Sequence, residues 1–116
     1  MTLVYKLLDR AEWDRAAATG RFDGSAIDLQ DGFIHLSDSA QVKDTARLHF
    51  RGRTELVLVA LSAETLGEAL KWEPSRGGAL FPHLYGPLPT DLALEVRALE
   101  LDGEGVPVIG DLAVQA

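Results

Sequence analysis

Glu55-Leu56-Val57-Leu58-Val59-Ala60-Leu61 is the most apolar stretch of the chain. A short run of leucine and β-branched residues without polar alternation predicts a central strand buried on both faces. Upstream, Gly52 stops a helix of about a dozen residues that Asp38 caps, with Gln41 at the capping-box position. Val42, Ala46, His49 and Phe50 follow i, i+4, i+7, i+8 spacing and form its predicted buried face, which makes His49 a core histidine. Before that helix, Gly32-Phe33-Ile34-His35-Leu36 reads as a short strand and residues 19–31 read mainly as loop. Leu3 to Leu8 is a first strand. Asp9 and Glu12 then cap a helix reaching Ala18, on which Trp13 and Ala17 share a face.

Downstream of the central run, Ser62 begins a short helical turn. Leu70-Lys71-Trp72-Glu73 is a brief strand that ends at Pro74, and Gly77-Gly78 marks a turn. Phe81 to Tyr85 is extended because Pro82 disfavours helix, and Leu92, Leu94, Val96 and Ala98 alternate as a strand. From Asp102 the chain turns rich in Gly and Pro, so 102–116 is a loop-like tail on a core of about 3–101. Strands outnumber two principal helices. The expected fold is a single compact α+β domain.

The composition limits what such a domain does. The chain has 116 residues, 47% of them apolar and 25% charged, with a net charge of −7. So acidic a chain is a poor coat for nucleic acid. Without cysteine it holds no disulfide, thiolate metal site or cysteine nucleophile. No apolar run approaches a membrane span, and the N-terminus lacks a signal peptide's apolar stretch, so a cytoplasmic location is expected. The acidity is uneven, however. Residues 32–53 carry four basic against two acidic side chains, and Lys43, Arg47 and Arg51 make one basic stripe on the helix. Lys43 and Arg47 are therefore candidate ligands for an anionic small molecule near the helix start.

Histidine, tyrosine and carboxylate are left to supply chemistry. A period of two places Phe33, His35 and Ser37 on one strand face, and Phe81, His83 and Tyr85 on another. An imidazole between an aromatic ring and a hydroxyl suits a planar ligand with sugar-like donors and acceptors. Two buried histidines bonded to backbone would show the same spacing. Glu73, between Trp72 and Pro74, is either a desolvated acid or a strand-end charge. His35, His83 and Glu73 would also make a two-histidine, one-carboxylate metal triad, a pattern too permissive for a metal to be assigned. His35-Leu36-Ser37 and His83-Leu84-Tyr85 are similar to the paired His-x-Ser/Thr elements of two-histidine phosphoesterases, Tyr85 departing from that pattern.

Asp31-Gly32-Phe33-Ile34-His35-Leu36-Ser37, then Gln41, Thr45, Leu70-Lys71-Trp72-Glu73 and Phe81-Pro82-His83-Leu84-Tyr85-Gly86-Pro87-Leu88, resemble the bacterial domain-of-unknown-function family 952. Trp13, Gly24, Ser25 and Asp28 fit the same pattern, and the likeness runs from Val4 to Leu101. Through that family's remote similarity to the ADP-ribosyltransferase superfamily, it implies a bent, mostly antiparallel split β core with a cleft for NAD. In that resemblance His35 matches the ribose-contacting histidine and Tyr85 the aromatic support of the nicotinamide. No motif marks a late-strand glutamate, although Glu95 lies on the expected last strand. His83 would stand in for it, as histidine does in RNA 2′-phosphotransfer. The expectation is then a nucleotide-binding enzyme of ADP-ribosyl or phosphotransfer type. Its catalytic candidates are His35, His83 and Glu73, and its ligand-binding candidates are Ser37, Trp72, Tyr85, Phe81, Lys43 and Arg47. A non-catalytic small-molecule-binding module and a two-histidine phosphoesterase are the alternatives.

Overall fold

A computed structural model describes residues 1–112 of the chain. Its backbone is built around strands β1 (Leu3–Asp9) and β5 (Leu56–Ser62), paired antiparallel along their full length. Every residue of β5 is buried, because both faces of the sheet are covered. Val4, Leu8, Val57, Val59 and Leu61 pack on one side with Trp13, Ile34 and Leu84. Leu3, Tyr5, Leu7, Leu58 and Ala60 pack on the other with Val42, Ala46 and Ile109. A strand between two apolar layers cannot alternate with polar residues, hence the unbroken apolar run.

The remaining elements close these two layers. Helix α1 (Arg10–Thr19) follows β1, and a two-residue β2 (Arg21–Phe22) leads into α2 (Ala26–Asp31). Next come β3 (Ile34–His35), β4 (Ser37–Asp38) and α3 (Val42–His49). After β5 the chain forms α4 (Ala63–Leu66), β6 (Leu70–Pro74), β7 (Leu80–Leu84), β8 (Leu88–Pro89) and β9 (Glu95–Leu99). Short 3₁₀ turns lie at Gly67–Ala69, Arg76–Gly78 and Thr90–Leu92. One sheet has the order β4-β1-β5-β9, a second β3-β7-β6, and β2 pairs with β8. All the pairings are antiparallel. Among the described residues no helix is long and apolar enough to cross a membrane.

Several expectations need correction. Residues 32–38 are not one strand. Ile34 and His35 belong to the second sheet, Ser37 and Asp38 to the first, and the chain changes sheets at Leu36, whose N–H donates to Pro82 O at 3.0 Å. Residues 19–31 are not simply loop, since they form β2 and α2. The capping pair Asp38 and Gln41 forms, but it organises the turn before α3: each backbone N–H donates to the other's side chain. The helix therefore starts at Val42 and is shorter than expected. His49 is exposed rather than in the core, because the buried stripe of α3 is Val42 and Ala46. Asp9 gives α1 no side-chain cap and pairs with Arg53 instead, while Trp13 is buried beside Ala16, not Ala17. Leu92 sits in a 3₁₀ turn, Leu94 lies exposed just before β9, and β9 is an edge strand on which Val96 is exposed. The tail is irregular, yet Ile109 is buried in the second layer. Residues 113–116 of that tail lie outside the described residues.

The change of sheets at Leu36 creates the feature that matters for function. On one side of β1 the ladder to β4 covers only Val4 and Tyr5. Beyond Tyr5 the two sheets part, and a cavity of about 590 Å³ opens beside Lys6 and Leu7.

Candidate functional site

The site is built on Asp28. Ser25 starts α2, and its N–H donates to Asp28 Oδ2 at 2.9 Å, the return half of a capping box. Gly24, at φ +122°, brings the backbone so close that a Cβ there would lie 2.9 Å from Asp28 Cβ. Only glycine meets both demands. Gly32, in the left-handed conformation, ends the helix and turns the chain into β3. That turn sets His35 against Asp28, whose Oδ1 accepts the His35 N–H at 3.1 Å and pairs with Nδ1 at 2.6 Å. From β1, Lys6 Nζ donates to Asp28 Oδ2 at 2.8 Å and to His35 O at 3.1 Å.

Lys6 and Asp28 are 4% and 2% exposed. Burial alone would raise the Asp28 pKa, but hydrogen bonds from His35 and Lys6 and the lysine charge outweigh it and hold the carboxyl at about 2. Burial pushes the Lys6 ammonium below its usual range, against the opposing pull of Asp28. His35 is also bonded through Nε2 to Asp31 Oδ2 at 2.9 Å. Both of its ring nitrogens thus meet carboxylates, Asp28 at Nδ1 and Asp31 at Nε2.

A second imidazole lies alongside. His35 and His83 are register partners in the β3–β7 ladder, with ring centroids 5.7 Å apart. His83 is 6% exposed and bonds through Nδ1 to Glu73 Oε1 at 2.9 Å. The Tyr85 hydroxyl donates to the same oxygen at 2.7 Å. Those bonds, from Tyr85 first and then His83, lower the Glu73 pKa, while Tyr85 is raised by giving its proton to a carboxylate. Among the described residues His83 Nε2 has no hydrogen-bond partner. Phe33 stacks on the His83 ring at 4.0 Å and also touches His35 and Tyr85.

Both histidines line the cavity, as do Ser37 and Phe81. Ser37 Oγ shares a hydrogen bond with Thr45 Oγ1 at 2.9 Å. Glu73 and Tyr85 are outside the cavity lining; Glu73 joins the site through His83, and Tyr85 through Glu73 and the Phe33 ring. The other three candidates lie elsewhere. Trp72 is 39% exposed and neighbours Glu73 on β6, so it projects from the opposite sheet face. Lys43 and Arg47 are exposed on α3 outside the cavity lining, and Arg47 pairs with Asp44 at 3.4 Å. The cavity's basic lining comes instead from Lys6, Arg53 and the histidines, including His49. Glu95 pairs with Arg97 on β9, outside that lining. No group of three or more His, Asp or Glu side chains able to hold a metal gathers among the described residues, so His35, His83 and Glu73 do not form the triad their residue types permit.

Sequence reasoning missed Lys6 as a member of the site, named Phe33 only as the ring beside His35, and held Asp28 and Asp31 only through a family pattern. One signal was available for Lys6. In Leu3-Val4-Tyr5-Lys6-Leu7-Leu8 the period of two places the lysine with Val4 and Leu8 on a buried face. A lysine there needs a buried anion.

Comparison with known proteins agrees with this fold. The crystal structure of protein CC0527 from Caulobacter crescentus shares 60% identity, with 94% of this chain and 96% of that chain covered and a TM-score of 0.92. The solution NMR structure of CC0527 from the same organism gives 60% identity, 95% coverage of each chain and a TM-score of 0.85. No curated protein matches the chain. The model of the family described as "Protein of unknown function (DUF952)" matches residues 7–96, and the chain belongs to that family.

Proposed function

We propose that the protein is an enzyme that binds an NAD- or ADP-ribose-like nucleotide in the cavity between its two sheets and acts on the ribose or a ribose-linked phosphate. One observation carries this reading: two imidazoles side by side on the cavity wall, each with Nδ1 held by a carboxylate. A carboxylate on Nδ1 fixes tautomer and ring orientation, which readies a histidine for proton transfer. With Nδ1 on the Glu73 carboxylate and no partner for Nε2 among the described residues, His83 suits the base. His35, held between two carboxylates that favour a proton on its ring, suits the acid once the ligand's leaving oxygen displaces Asp31.

In phosphotransfer, His83 takes the proton of the attacking hydroxyl as its oxygen bonds to phosphorus. The bond from phosphorus to the leaving oxygen breaks, and His35 supplies that oxygen's proton. Paired acid and base of this kind contribute roughly 10²–10⁴-fold each. A cavity of about 590 Å³ falls in the size range of small-molecule sites and is large enough for a nucleotide. The split between the sheets supports an ADP-ribosyltransferase-like architecture. The position of Glu95 outside the cavity favours histidine-led chemistry over glutamate-led transfer to protein.

The test follows the three imidazoles by NMR while NAD and ADP-ribose are titrated. Shifts at His35 and His83, with turnover lost in His83→Ala, are expected. Unmoved signals at millimolar ligand overturn the reading. Ligand binding without turnover under any nucleotide condition would instead mark a binding module, which the Asp31 bond occupying His35 Nε2 favours.

A further inference from the structure

The cavity has a second polar lining besides the imidazole pair. His49 and Phe50, at the C-terminal end of α3, and Arg53 just beyond it face the same space. The Arg53 guanidinium lies over the Phe50 ring, 4.8 Å from its centroid, and donates to Asp9 Oδ1 at 2.7 Å. The ring holds the guanidinium plane in place. The Asp9 carboxylate shows that an oxyanion already reaches one of its N–H groups in this position.

We infer that Arg53, with His49 beside it in the lining, forms an anion subsite that takes a phosphate or pyrophosphate group of the cavity's ligand. A guanidinium presents parallel N–H donors that match phosphate oxygens two at a time. Both Arg53 and Asp9 are partly exposed, at 45% and 42%, and an exposed pair of this kind is weak enough to exchange partners. A phosphate carries more charge than the Asp9 carboxylate and adds contact with the cavity wall. The local positive charge of residues 32–53 in an otherwise acidic chain thus finds its use at Arg53, not at Lys43 or Arg47, which lie outside the lining. The ligand's identity as a nucleotide rests on the reading above. The subsite itself rests on Arg53, Phe50 and the cavity.

Inorganic pyrophosphate, adenosine and ADP-ribose, titrated separately into the full chain and its variants, test the inference. Pyrophosphate should shift the His49 imidazole, and ADP-ribose should bind about tenfold tighter than adenosine, the gain of one good charge-assisted phosphate contact. Arg53→Ala should remove that tenfold advantage. Asp9→Asn frees the guanidinium from its competitor and should tighten pyrophosphate about threefold, an effect of opposite sign. A folded Arg53→Ala that binds pyrophosphate and ADP-ribose like the parent overturns the subsite. If that happens while ADP-ribose still shifts His35 and His83, the subsite fails alone and the nucleotide reading survives. If ADP-ribose leaves His35 and His83 unmoved but pyrophosphate shifts His49 through Arg53, the subsite stands and the nucleotide reading falls.

Discussion

The two imidazole–carboxylate pairs look alike in outline and differ in every energetic respect. Asp28, paired with His35, is buried and accepts from Ser25 N–H, His35 N–H, His35 Nδ1 and Lys6 Nζ. Glu73, paired with His83, has a 39% exposed side chain and, among the described residues, accepts from His83 and Tyr85. The first pair ties α2, β1 and β3 together, so its geometry is a condition of folding. The second lies within the β6–β7 hairpin, and solvent can replace either of its partners. Fold and chemistry are thus divided: one carboxylate positions structure and histidine alike, the other only a histidine.

The sharpest way to break this contrast is Asp28→Ala. It strands a buried ammonium and two backbone N–H groups, so stability should fall by about 3–5 kcal/mol in urea unfolding. Glu73→Ala should shift the same transition little, and equal losses in the two variants would abolish the distinction.

Acid provides a second cut. The Asp28 carboxyl titrates at about 2 in the folded protein against an ordinary 3.8. A group with a depressed folded pKa stabilises fully above its unfolded value and loses that contribution as pH falls through the folded value. Stability should therefore decline by roughly 2 kcal/mol between pH 4 and pH 2 on account of Asp28. The corresponding step should vanish in Asp28→Asn, measured relative to that variant's own value at neutral pH.

Gly24→Ala probes the packing around the first pair without touching its charges. With φ at +122° and Asp28 Cβ 2.9 Å from the new methyl, it should cost about 1–3 kcal/mol and shift the His35 imidazole signal. An unchanged His35 signal would show that α2 adjusts freely.

The second pair is sharpened by Glu73→Gln. Loss of the carboxylate on Nδ1 should lower turnover roughly tenfold while leaving the unfolding midpoint in place. The smallest effect belongs to Trp72→Ala. From the opposite sheet face it should leave cavity affinity unchanged, and a large loss there would relocate the ligand.

How far the sequence could be read follows from the range of each signal. The central strand was legible because six consecutive apolar residues, Leu56 to Leu61, have few alternatives, and the pairing of Phe81, His83 and Tyr85 on one face follows from the period of two. That same period, applied across Leu36, misled. It assumes one continuous strand, whereas the backbone changes sheets there, so Ser37 reaches the cavity from the other sheet and bonds Thr45. Helical periodicity likewise placed Lys43, Arg47 and His49 around α3 without saying which side faced a cavity. Trp72 and Glu73 are neighbours in sequence, yet alternation along β6 puts them on opposite faces.

By itself, then, the sequence determined an α+β domain, its family and the two histidine blocks, because each rests on local pattern or on motif. Only tertiary structure decided that Lys6 from β1 and Asp28 from α2 meet under His35, that His35 and His83 are register neighbours, and that Arg53 rather than the α3 stripe lines the cavity. The physical reason is distance along the chain. An ion pair between residues 6 and 28, or a ladder partner 48 residues away, is fixed by how two sheets part at Leu36, and no window of local sequence carries that information.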